Sequence, residues 1–338
     1  MHRLVDFSHC LIFSQKLNVK PQDVKLFLIG MCIVLVAEIL LDITHTSSIC
    51  SVNDSENLKP QPSYFGTVDM SYAKKLASTI HIYCFILTEP SQFASQHHVQ
   101  NTWVRRCTRY GFVSPGSDSL LRLLDAKHNV KTYKRKSWNS MRETLRAVYA
   151  QKEDILFYLK ADYNNYIIME NVRYMLEFED PDKPFLLGHV HAPGRYGDKI
   201  SGSAGYVLSR KALQSIVENL DTVKECGMLD RIEDEQISVC AEAAGVEVRD
   251  SFDFLGKSRF SNVTIENLLG PYPNNTPRWY PEESDYTLPK YDLHKLPASP
   301  LLVSFAGIDQ TMMYVLEYLL YHLRPTGITH RWRYQQPQ

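Results

Sequence analysis

The chain has 338 residues and a formal net charge of -1, with 22% charged and 44% hydrophobic residues. This globular composition excludes a chain that is disordered throughout. It also argues against a nucleic-acid binder that relies on a general basic field, because 37 Lys and Arg are balanced by 38 Asp and Glu.

The N-terminal region predicts a membrane anchor. An unbroken apolar run, Leu26–Ala37, continues past Glu38 to Leu41. Basic residues predominate before the run and acidic residues follow it, so the positive-inside rule places the N-terminus in the cytosol and the rest in the lumen. The run is shorter than most spans, which suits the thin membranes of the early secretory pathway, whereas a signal-peptide core or a buried helix is the alternative. We expect a cytosolic tail over 1–25, a signal-anchor helix over 26–43 and a stem over 44–78.

Glycosylation sequons agree with a lumenal location in the Golgi or endoplasmic reticulum. Asn-x-Ser/Thr patterns without an intervening Pro begin at Asn53, Asn262 and Asn274. Such sequons accept N-linked glycans when they lie on the surface of a secreted domain. We therefore predict N-glycosylation at these positions, although each pattern alone is weak because it is common by chance.

The cysteines also fit an oxidising compartment. Four of the seven lie in the region that we expect to fold, and four cysteines allow three pairings. An oxidising lumen favours bridges, and we favour the local pairs Cys84–Cys107 and Cys226–Cys240. Four reduced core cysteines are the alternative. Cys50, just after the apolar run, has no predicted partner within the chain and is a candidate to link two chains through the stem.

From residue 79 to residue 334, strand and helix signals alternate. The strand signals are IHIYCFILTEP, RYGFVS, ILFYLKA, PFLLG, YVLS and LLVSF. The helix signals are SQHHVQNTWVRRC with Ser95 as its cap, Arg135–Tyr149, IIMENVRYMLEF, a helix from Ser209 and TMMYVLEYLLYHL. This alternation predicts a single α/β domain with a mostly parallel central sheet. Ligands bind outside the carboxyl ends of the strands in such sheets, and the segment ADYNNY lies at one of these ends.

Large apolar residues divide into core and surface candidates. Trp103 and Trp138 have helical core spacing, and the stripe Met313, Leu316, Leu320 and Leu323 also predicts core. Trp279, in the Pro-rich stretch TPRWYP, is a candidate for stacking on a sugar or peptide acceptor.

Six segments resemble the core 1 β1,3-galactosyltransferase family. They follow the family's order over about residues 80–330: HHVQNTWVRRC, FYLKADYNNYIIMENVRYML, DPDKPFLLG, SGSAGYVLSRKAL, IEDEQISVC and MMYVLEYLLYHLRPTG. The resemblance implies a GT-A nucleotide-sugar-binding domain, UDP-galactose as donor, manganese as metal and inversion at the transferred sugar. It implies a glycoprotein carrying O-linked N-acetylgalactosamine as acceptor. A homodimer, or a heterodimer with a related transferase, is our expectation for the assembly.

The resemblance also assigns site residues. The family's Glu-Asp-x-x-x-Gly-x-Cys pattern places the catalytic base at Asp234, and its Gly is replaced here by Ser238. An acid-rich first helical turn, stabilised by the helix dipole, is the alternative interpretation. The predicted donor-binding positions are Lys160, Asp162, Asn164, Gly202 and Gly205. For the two glycines, a role only in permitting tight backbone turns is the alternative interpretation.

The metal motif departs from the family. The family's Asp-Asp-Asp after Lys-Ala is Asp162, Tyr163 and Asn164 here, and the His of its Ser-Phe-His pattern is Ala306. Because hard divalent ions are selected by anionic oxygen ligands, we expect weakened manganese affinity.

Two interpretations follow from the altered metal motif. In the first, the chain is a transferase in which cations neutralise the leaving diphosphate, with four candidates: Lys160, His189, His191 and Arg195. In the second, the chain has lost its chemistry and acts as a binding partner or chaperone of a related transferase.

Overall fold

A computed structural model describes residues 69–89, 93–114, 124, 137–194, 197–229, 231–269 and 298–323. The predicted anchor over 26–43 lies outside these ranges, as do Asn53, Asn274 and Trp279. Among the helices within these ranges, none combines the length and apolar character that crossing a membrane requires. One compact unit begins at Asp69, inside the predicted stem.

Helices and strands alternate along the described chain as predicted. The helices are α1 (Ser71–Thr79), α2 (Phe93–Asn101), α3 (Trp138–Tyr149), α4 (Met169–Leu176), α5 (Arg210–Asn219), α6 (Glu233–Ala243), α7 (Ile265–Leu269) and α8 (Gln310–Tyr321). The strands are β1 (Ile82–Leu87), β2 (Arg109–Val113), β3 (Phe157–Asp162), β4 (Tyr166–Ile167), β5 (Phe185–Gly188), β6 (Val190–Gly194), β7 (Gly197–Ile200), β8 (Tyr206–Ser209), β9 (Glu247–Asp250) and β10 (Ser304–Phe305). Short 3-10 helices span Trp103–Arg106 and Gly202–Ala204.

A mixed sheet forms the centre of the described domain, in the order β2-β1-β3-β8-β5-β9. β1 is parallel to β2 and β3, and β5 is parallel to β9, whereas β8 is antiparallel to both β3 and β5. The predicted α/β class with a mostly parallel sheet is therefore confirmed. Because β3 and β5 both oppose β8, the carboxyl ends of β1, β3, β5 and β9 lie at one edge of the sheet.

Apolar side chains cover both faces of this sheet. In β1, Cys84 and Ile86 face one core cluster while Phe85 and Leu87 face the other, as the two-residue period of a strand requires. All six residues of β1 are buried, which explains its continuous apolar sequence. Trp103 belongs to the first cluster and Trp138 to the second, each fully buried as predicted.

Both predicted disulfides are present. Cys84–Cys107 links β1 to the residue that follows the first 3-10 helix, with Cα atoms 6.2 Å apart. Cys226–Cys240 links the segment after α5 to α6, with Cα atoms 4.6 Å apart. The second bridge anchors the carboxyl-terminal half of α6, whose first turn contains the predicted base.

A polar network ties α8 to the rest of the domain. Nη1 of Arg106 donates to Oε2 of Glu317 at 3.0 Å, and the Tyr166 hydroxyl donates to the same oxygen at 2.7 Å. Alongside, the Tyr321 hydroxyl donates to Oε2 of Glu170 at 2.6 Å, and the Arg106 guanidinium lies over the Tyr321 ring. The network thus joins α8 to β4 and α4 through charge-assisted hydrogen bonds.

Two local predictions are wrong. Ser95 does not cap α2 but lies in its third position, where Oγ accepts a hydrogen bond from Nε2 of Gln310 at 3.3 Å. In α8, Met313 and Leu316 are buried as predicted, but Leu320 is 40% exposed. Leu323, two residues beyond the end of α8, is 44% exposed. The end of the helix extends past the core cluster, which includes Leu316 as its last member.

Candidate functional site

The predicted site residues come from three separate segments and meet at the sheet edge. Asp162 is the last residue of β3, and Gly202 opens the 3-10 turn that precedes β8. Glu233 and Asp234 form the start of α6. Antiparallel pairing of β3 with β8, with Lys160 opposite Tyr206, brings the first two segments together. The second and third meet because α6 packs on Gly202.

A buried charge network lies beneath this edge. The Lys160 ammonium donates to the carbonyl of Gly202 at 2.7 Å, and Nζ lies 3.0 Å from Oδ1 of Asp162 and 3.6 Å from Oε2 of Glu233. The Tyr206 hydroxyl donates to Oε1 of Glu233 at 2.7 Å. Since Lys160, Asp162 and Glu233 are at most 3% exposed, this ion network is almost completely removed from water.

Burial changes the acid-base properties of the network. It raises the pKa of the Glu233 carboxyl above its usual value, although the nearby Lys160 ammonium and the Tyr206 hydrogen bond act in the opposite direction. Burial and the adjacent Glu233 also raise the pKa of the Tyr206 phenol well above its usual value. The phenol therefore stays protonated and remains a hydrogen-bond donor to Glu233.

The two predicted glycines permit close backbone contacts. A Cβ on Gly202 would lie 2.6 Å from Cβ of Asp234 and 2.9 Å from Oε2 of Glu233. Gly205 has a φ of 81°, and a Cβ there would lie 2.8 Å from the carbonyl oxygen of Lys160. Both positions require glycine because a side chain would push α6 or β3 away from the turn.

Asp234 differs from its buried neighbours in its access to solvent. It is half-buried on the first turn of α6, and Oδ1 accepts a hydrogen bond from the amide of Glu235 at 3.1 Å. Ser238, which stands at the family's Gly position, accepts a hydrogen bond from the amide of Ile200 at 3.0 Å and so ties α6 to β7. Within the first turn of α6, Glu233 is buried and Glu235 is exposed, whereas Asp234 both reaches solvent and lies against Gly202.

The segment after β3 is held by an asparagine that sequence reasoning missed. Oδ1 of Asn165 accepts from the amide of Asp162 at 2.7 Å, and its Nδ2 donates to the carbonyl of Ser203 at 2.9 Å. Asn164, the predicted donor-binding residue, is half-buried, and its carbonyl accepts from the amide of Ile308 at 2.8 Å. Asn165 thus fixes the turn and joins it to the segment of Gly202 and Ser203.

A cavity of about 390 Å³ lies beside this turn. Residues from α2, from the turn after β3 and from the start of α8 line it: Ser95, His98, Tyr163, Ile308, Asp309, Gln310, Thr311 and Met313. Tyr163, adjacent to Asp162, lines the cavity, whereas Asp162 and Asp234 do not. His98 was not predicted as a site residue, although its motif HHVQN follows the carboxyl end of β1.

The cations predicted to neutralise a diphosphate differ in their surroundings. Lys160 is 1% exposed and already contacts two carboxylates. His189 is half-buried at the end of β5, with its carbonyl accepting from the amide of Ser201 at 2.8 Å. Arg195 and the side chain of His191 lie outside the described residues.

The described residues do not fit the manganese site that the resemblance implied. Within those ranges, no three His, Cys, Asp or Glu side chains come together in a group that could hold a metal. Asp162 contacts the Lys160 ammonium, Tyr163 lines the cavity, and buried Ala306 offers no ligand atom. Since divalent ions of this kind bind through several anionic oxygens, we derive no chemical step through a metal.

Comparison with known proteins decides the family. Glycoprotein-N-acetylgalactosamine 3-beta-galactosyltransferase 1 of Xenopus laevis is 31% identical to the chain over 276 residues, which are 80% of this chain and 73% of that protein. The chain belongs to the glycoprotein-N-acetylgalactosamine 3-beta-galactosyltransferase family. The predicted family is therefore confirmed, and with it the assignment to the glycosyltransferases. No protein-family model matches the chain.

Solved galactosyltransferases are similar to the chain only distantly. The galactosyltransferase LgtC, in complex with donor and acceptor sugar analogs, is 11% identical with a TM-score of 0.39, over 72% of this chain and 97% of that chain. A Drosophila galactosyltransferase 7 mutant, in complex with manganese, UDP-Gal and xylobiose, is 13% identical with a TM-score of 0.30, over 50% and 64%.

Proposed function

We propose that the chain transfers galactose from UDP-galactose to the 3-hydroxyl of O-linked N-acetylgalactosamine on glycoproteins, with inversion at the anomeric carbon. One observation carries the proposal: Asp234, at the base position of the family to which the chain belongs, is a solvent-accessible carboxylate at the sheet edge. The corresponding domain would be of the GT-A type, with the donor held near Asp162, Asn164, Gly202 and Gly205.

The proposed chemistry is a direct displacement in which Asp234 acts as general base. Its carboxylate accepts the proton of the acceptor hydroxyl while that oxygen forms a bond to the anomeric carbon. The bond between this carbon and the diphosphate breaks, and UDP leaves with the electron pair. A positioned carboxylate contributes roughly 10²–10⁴-fold to such a proton transfer. Preorganised positive charge must stabilise the departing diphosphate.

The cavity beside Tyr163 is our candidate for part of the donor site. It lies next to the predicted donor-binding segment, and several of its lining side chains carry polar groups, including His98, Gln310 and Thr311. A cavity of this size and polarity suits part of a nucleotide sugar. Trp279 remains our candidate for contacting the acceptor.

The predicted location and assembly remain part of this proposal. We propose a single-pass type II protein of the Golgi or endoplasmic-reticulum membrane, anchored through 26–43, with glycans at Asn53, Asn262 and Asn274. Asn262 is half-buried. We also propose a homodimer, or a heterodimer with a related transferase.

A second candidate function has one observation in its favour. Since the described residues do not assemble the metal site implied by the resemblance, the chain could serve as a catalytically silent partner or chaperone of a related transferase. In that case the fold would bind a protein partner rather than complete a transfer.

Product formation separates the two functions. The purified protein is incubated with UDP-galactose and a peptide carrying N-acetylgalactosamine, with added manganese or with EDTA, and the product is detected by mass spectrometry. The transferase proposal predicts a product that is heavier by one hexose and a UDP-dependent rise in melting temperature. Absence of both would rule it out and favour the silent partner, whereas turnover unaffected by EDTA would support catalysis without a divalent ion.

A further inference from the structure

Asp234 lies next in the chain to a carboxylate with very different surroundings. Glu233 is 2% exposed, whereas Asp234 is half-buried and accessible. Burying an ionised carboxylate costs several kcal/mol unless it is paired and hydrogen-bonded. A buried ion pair is also weak evidence for stability, because apolar residues of similar volume often serve as well. The buried Glu233 therefore calls for an explanation besides stability.

The contacts of Glu233 connect α6 to two other segments of the site. Oε1 accepts from the Tyr206 hydroxyl at 2.7 Å, which joins α6 to β8. Oε2 lies 3.6 Å from Nζ of Lys160, which joins α6 to β3. The same ammonium donates to the carbonyl of Gly202 at 2.7 Å. Lys160 thus contacts Glu233 on α6 and the carbonyl of Gly202, on both sides of the surface where α6 packs on the 3-10 turn.

The packing of α6 on Gly202 links the contacts of Glu233 to the position of Asp234. The space that a Cβ on Gly202 would occupy is bounded by Oε2 of Glu233 and by Cβ of Asp234. The position of Asp234 therefore follows from how closely the first turn of α6 lies against Gly202. That turn has no side-chain capping hydrogen bond at its start, since Ile232 precedes it. Its far end is fixed independently by the Cys226–Cys240 disulfide.

We infer that Glu233 is a positioning residue, which acts through Tyr206 and Lys160 to hold the first turn of α6 on Gly202 and so to place Asp234 for catalysis. The inference rests on the proposed function insofar as Asp234 is the base. The structural part, that the Glu233 contacts hold this turn, can be tested without any turnover.

Hydrogen exchange tests the structural part in the full chain. In Glu233→Gln, the amide oxygen still accepts from Tyr206, but the charge facing Lys160 is lost. We expect the Gln236 amide, which donates to the carbonyl of Ile232, to exchange roughly 10- to 100-fold faster, because the ion pair with Lys160 is lost and the hydrogen bond from Tyr206 is no longer charge-assisted. The Ala244 amide, at the far end of α6, should be unchanged. Tyr206→Phe, which removes one hydrogen bond only, should show a smaller effect at the same position.

Ser238→Ala provides a matched control on the same helix. It removes the hydrogen bond from the Ile200 amide but leaves Glu233 and its partners intact. We expect this variant to exchange at the Gln236 amide within a few-fold of the wild type. Unchanged exchange of this amide in Glu233→Gln, or equal acceleration in Ser238→Ala, would overturn the inference.

Kinetics separate positioning from simple destabilisation. Displacing a catalytic group by about 1 Å can cost roughly 100-fold in rate. We therefore expect Glu233→Gln to lower kcat about 10- to 100-fold, while KM for UDP-galactose stays within a few-fold and Ser238→Ala keeps its kcat. Retained kcat in Glu233→Gln beside an active wild type contradicts the inference. An inactive wild type contradicts the proposed function instead, and the exchange result then decides the inference alone.

Discussion

Replacing Lys160 by Met gives the sharpest test of the buried charge network. Met is close to Lys in length, so the substitution removes the ammonium with little change in volume. It leaves the carboxylates of Asp162 and Glu233, which are 3% and 2% exposed, without the cation that lies 3.0 Å and 3.6 Å from them. It also removes the hydrogen bond to the carbonyl of Gly202.

The expected loss of stability follows from leaving buried carboxylates without their cation. Breaking a buried ion pair by removing one partner costs about 3–5 kcal/mol, because a buried charge remains uncompensated. For a domain of this size, about 1 kcal/mol lowers Tm by roughly 2–4 °C, so we expect a decrease on the order of 10 °C at neutral pH.

The pH dependence of this defect has a predicted sign. The folded-state pKa of Glu233 is raised above the ordinary value of 4.5, so folding favours its protonated form. Stability contributed by protonation is present below that ordinary value and is lost as pH rises through the folded pKa. Without the ammonium, the folded pKa should rise further. The destabilisation by Lys160→Met is therefore greatest at neutral pH and shrinks as the pH falls toward 4.5.

Equilibrium unfolding of the disulfide-intact protein measures this effect. The free energy of unfolding is compared at neutral and acidic pH for the wild type, Lys160→Met, Glu233→Gln and the double variant. Because the two residues interact, the double variant should lose less stability than the sum of the single losses. A loss below about 1 kcal/mol for Lys160→Met, or a loss that is independent of pH, would show that the network does not carry buried charge.

Two further substitutions test the contacts around the site. Gly202→Ala places a Cβ 2.6 Å from Cβ of Asp234, so we expect overpacking to lower the free energy of unfolding by about 1–3 kcal/mol. The relative loss of turnover should be larger. An unchanged kcat would contradict the close packing of α6 on Gly202. Glu317→Gln disrupts the pair of hydrogen bonds that Arg106 donates to the Glu317 carboxylate and should cost about 1.5–3 kcal/mol in thermal or urea unfolding. Burial alone would raise the pKa of Glu317, but hydrogen bonds from Arg106 and Tyr166 outweigh it and lower that pKa below the ordinary value of 4.5. The stability that the ionised Glu317 carboxylate contributes is therefore complete above that ordinary value and is lost as the pH falls through the folded pKa. A stability difference between wild type and Glu317→Gln that persists in strong acid would argue against this contribution.

The local patterns of the sequence predicted much of the fold. β1 and α5 follow from a continuous apolar run and from Ser209, whose Oγ accepts from the amide of Ala212 as an N-cap should. The preference for local cysteine pairs agrees with both disulfides. The exposure of Leu320 and Leu323 could not be predicted, because helical spacing indicates a face but not where the opposing core ends.

The candidate site was predictable only as a set of separate residues. Family resemblance identified Lys160, Asp162 and Asp234, but it did not show that Lys160 contacts Glu233 across 73 residues of sequence. Such contacts arise from the pairing of β3 with β8 and the packing of α6, neither of which leaves a local signal. The role of Asn165 was missed for the same reason, since its partner Ser203 lies on another segment.

Galactose transfer by the wild type and by Asp234→Asn, measured side by side, tests the proposed function most directly. The substrates are UDP-galactose and a peptide carrying N-acetylgalactosamine, and Glu235→Gln is the control, since Glu235 is an exposed acid on the same turn of α6. We predict product from the wild type and from Glu235→Gln, and a rate roughly 10²–10⁴-fold lower in Asp234→Asn. Equal rates in wild type and Asp234→Asn, or no product from any of the three proteins, would contradict the assignment of Asp234 as the base of an active galactosyltransferase.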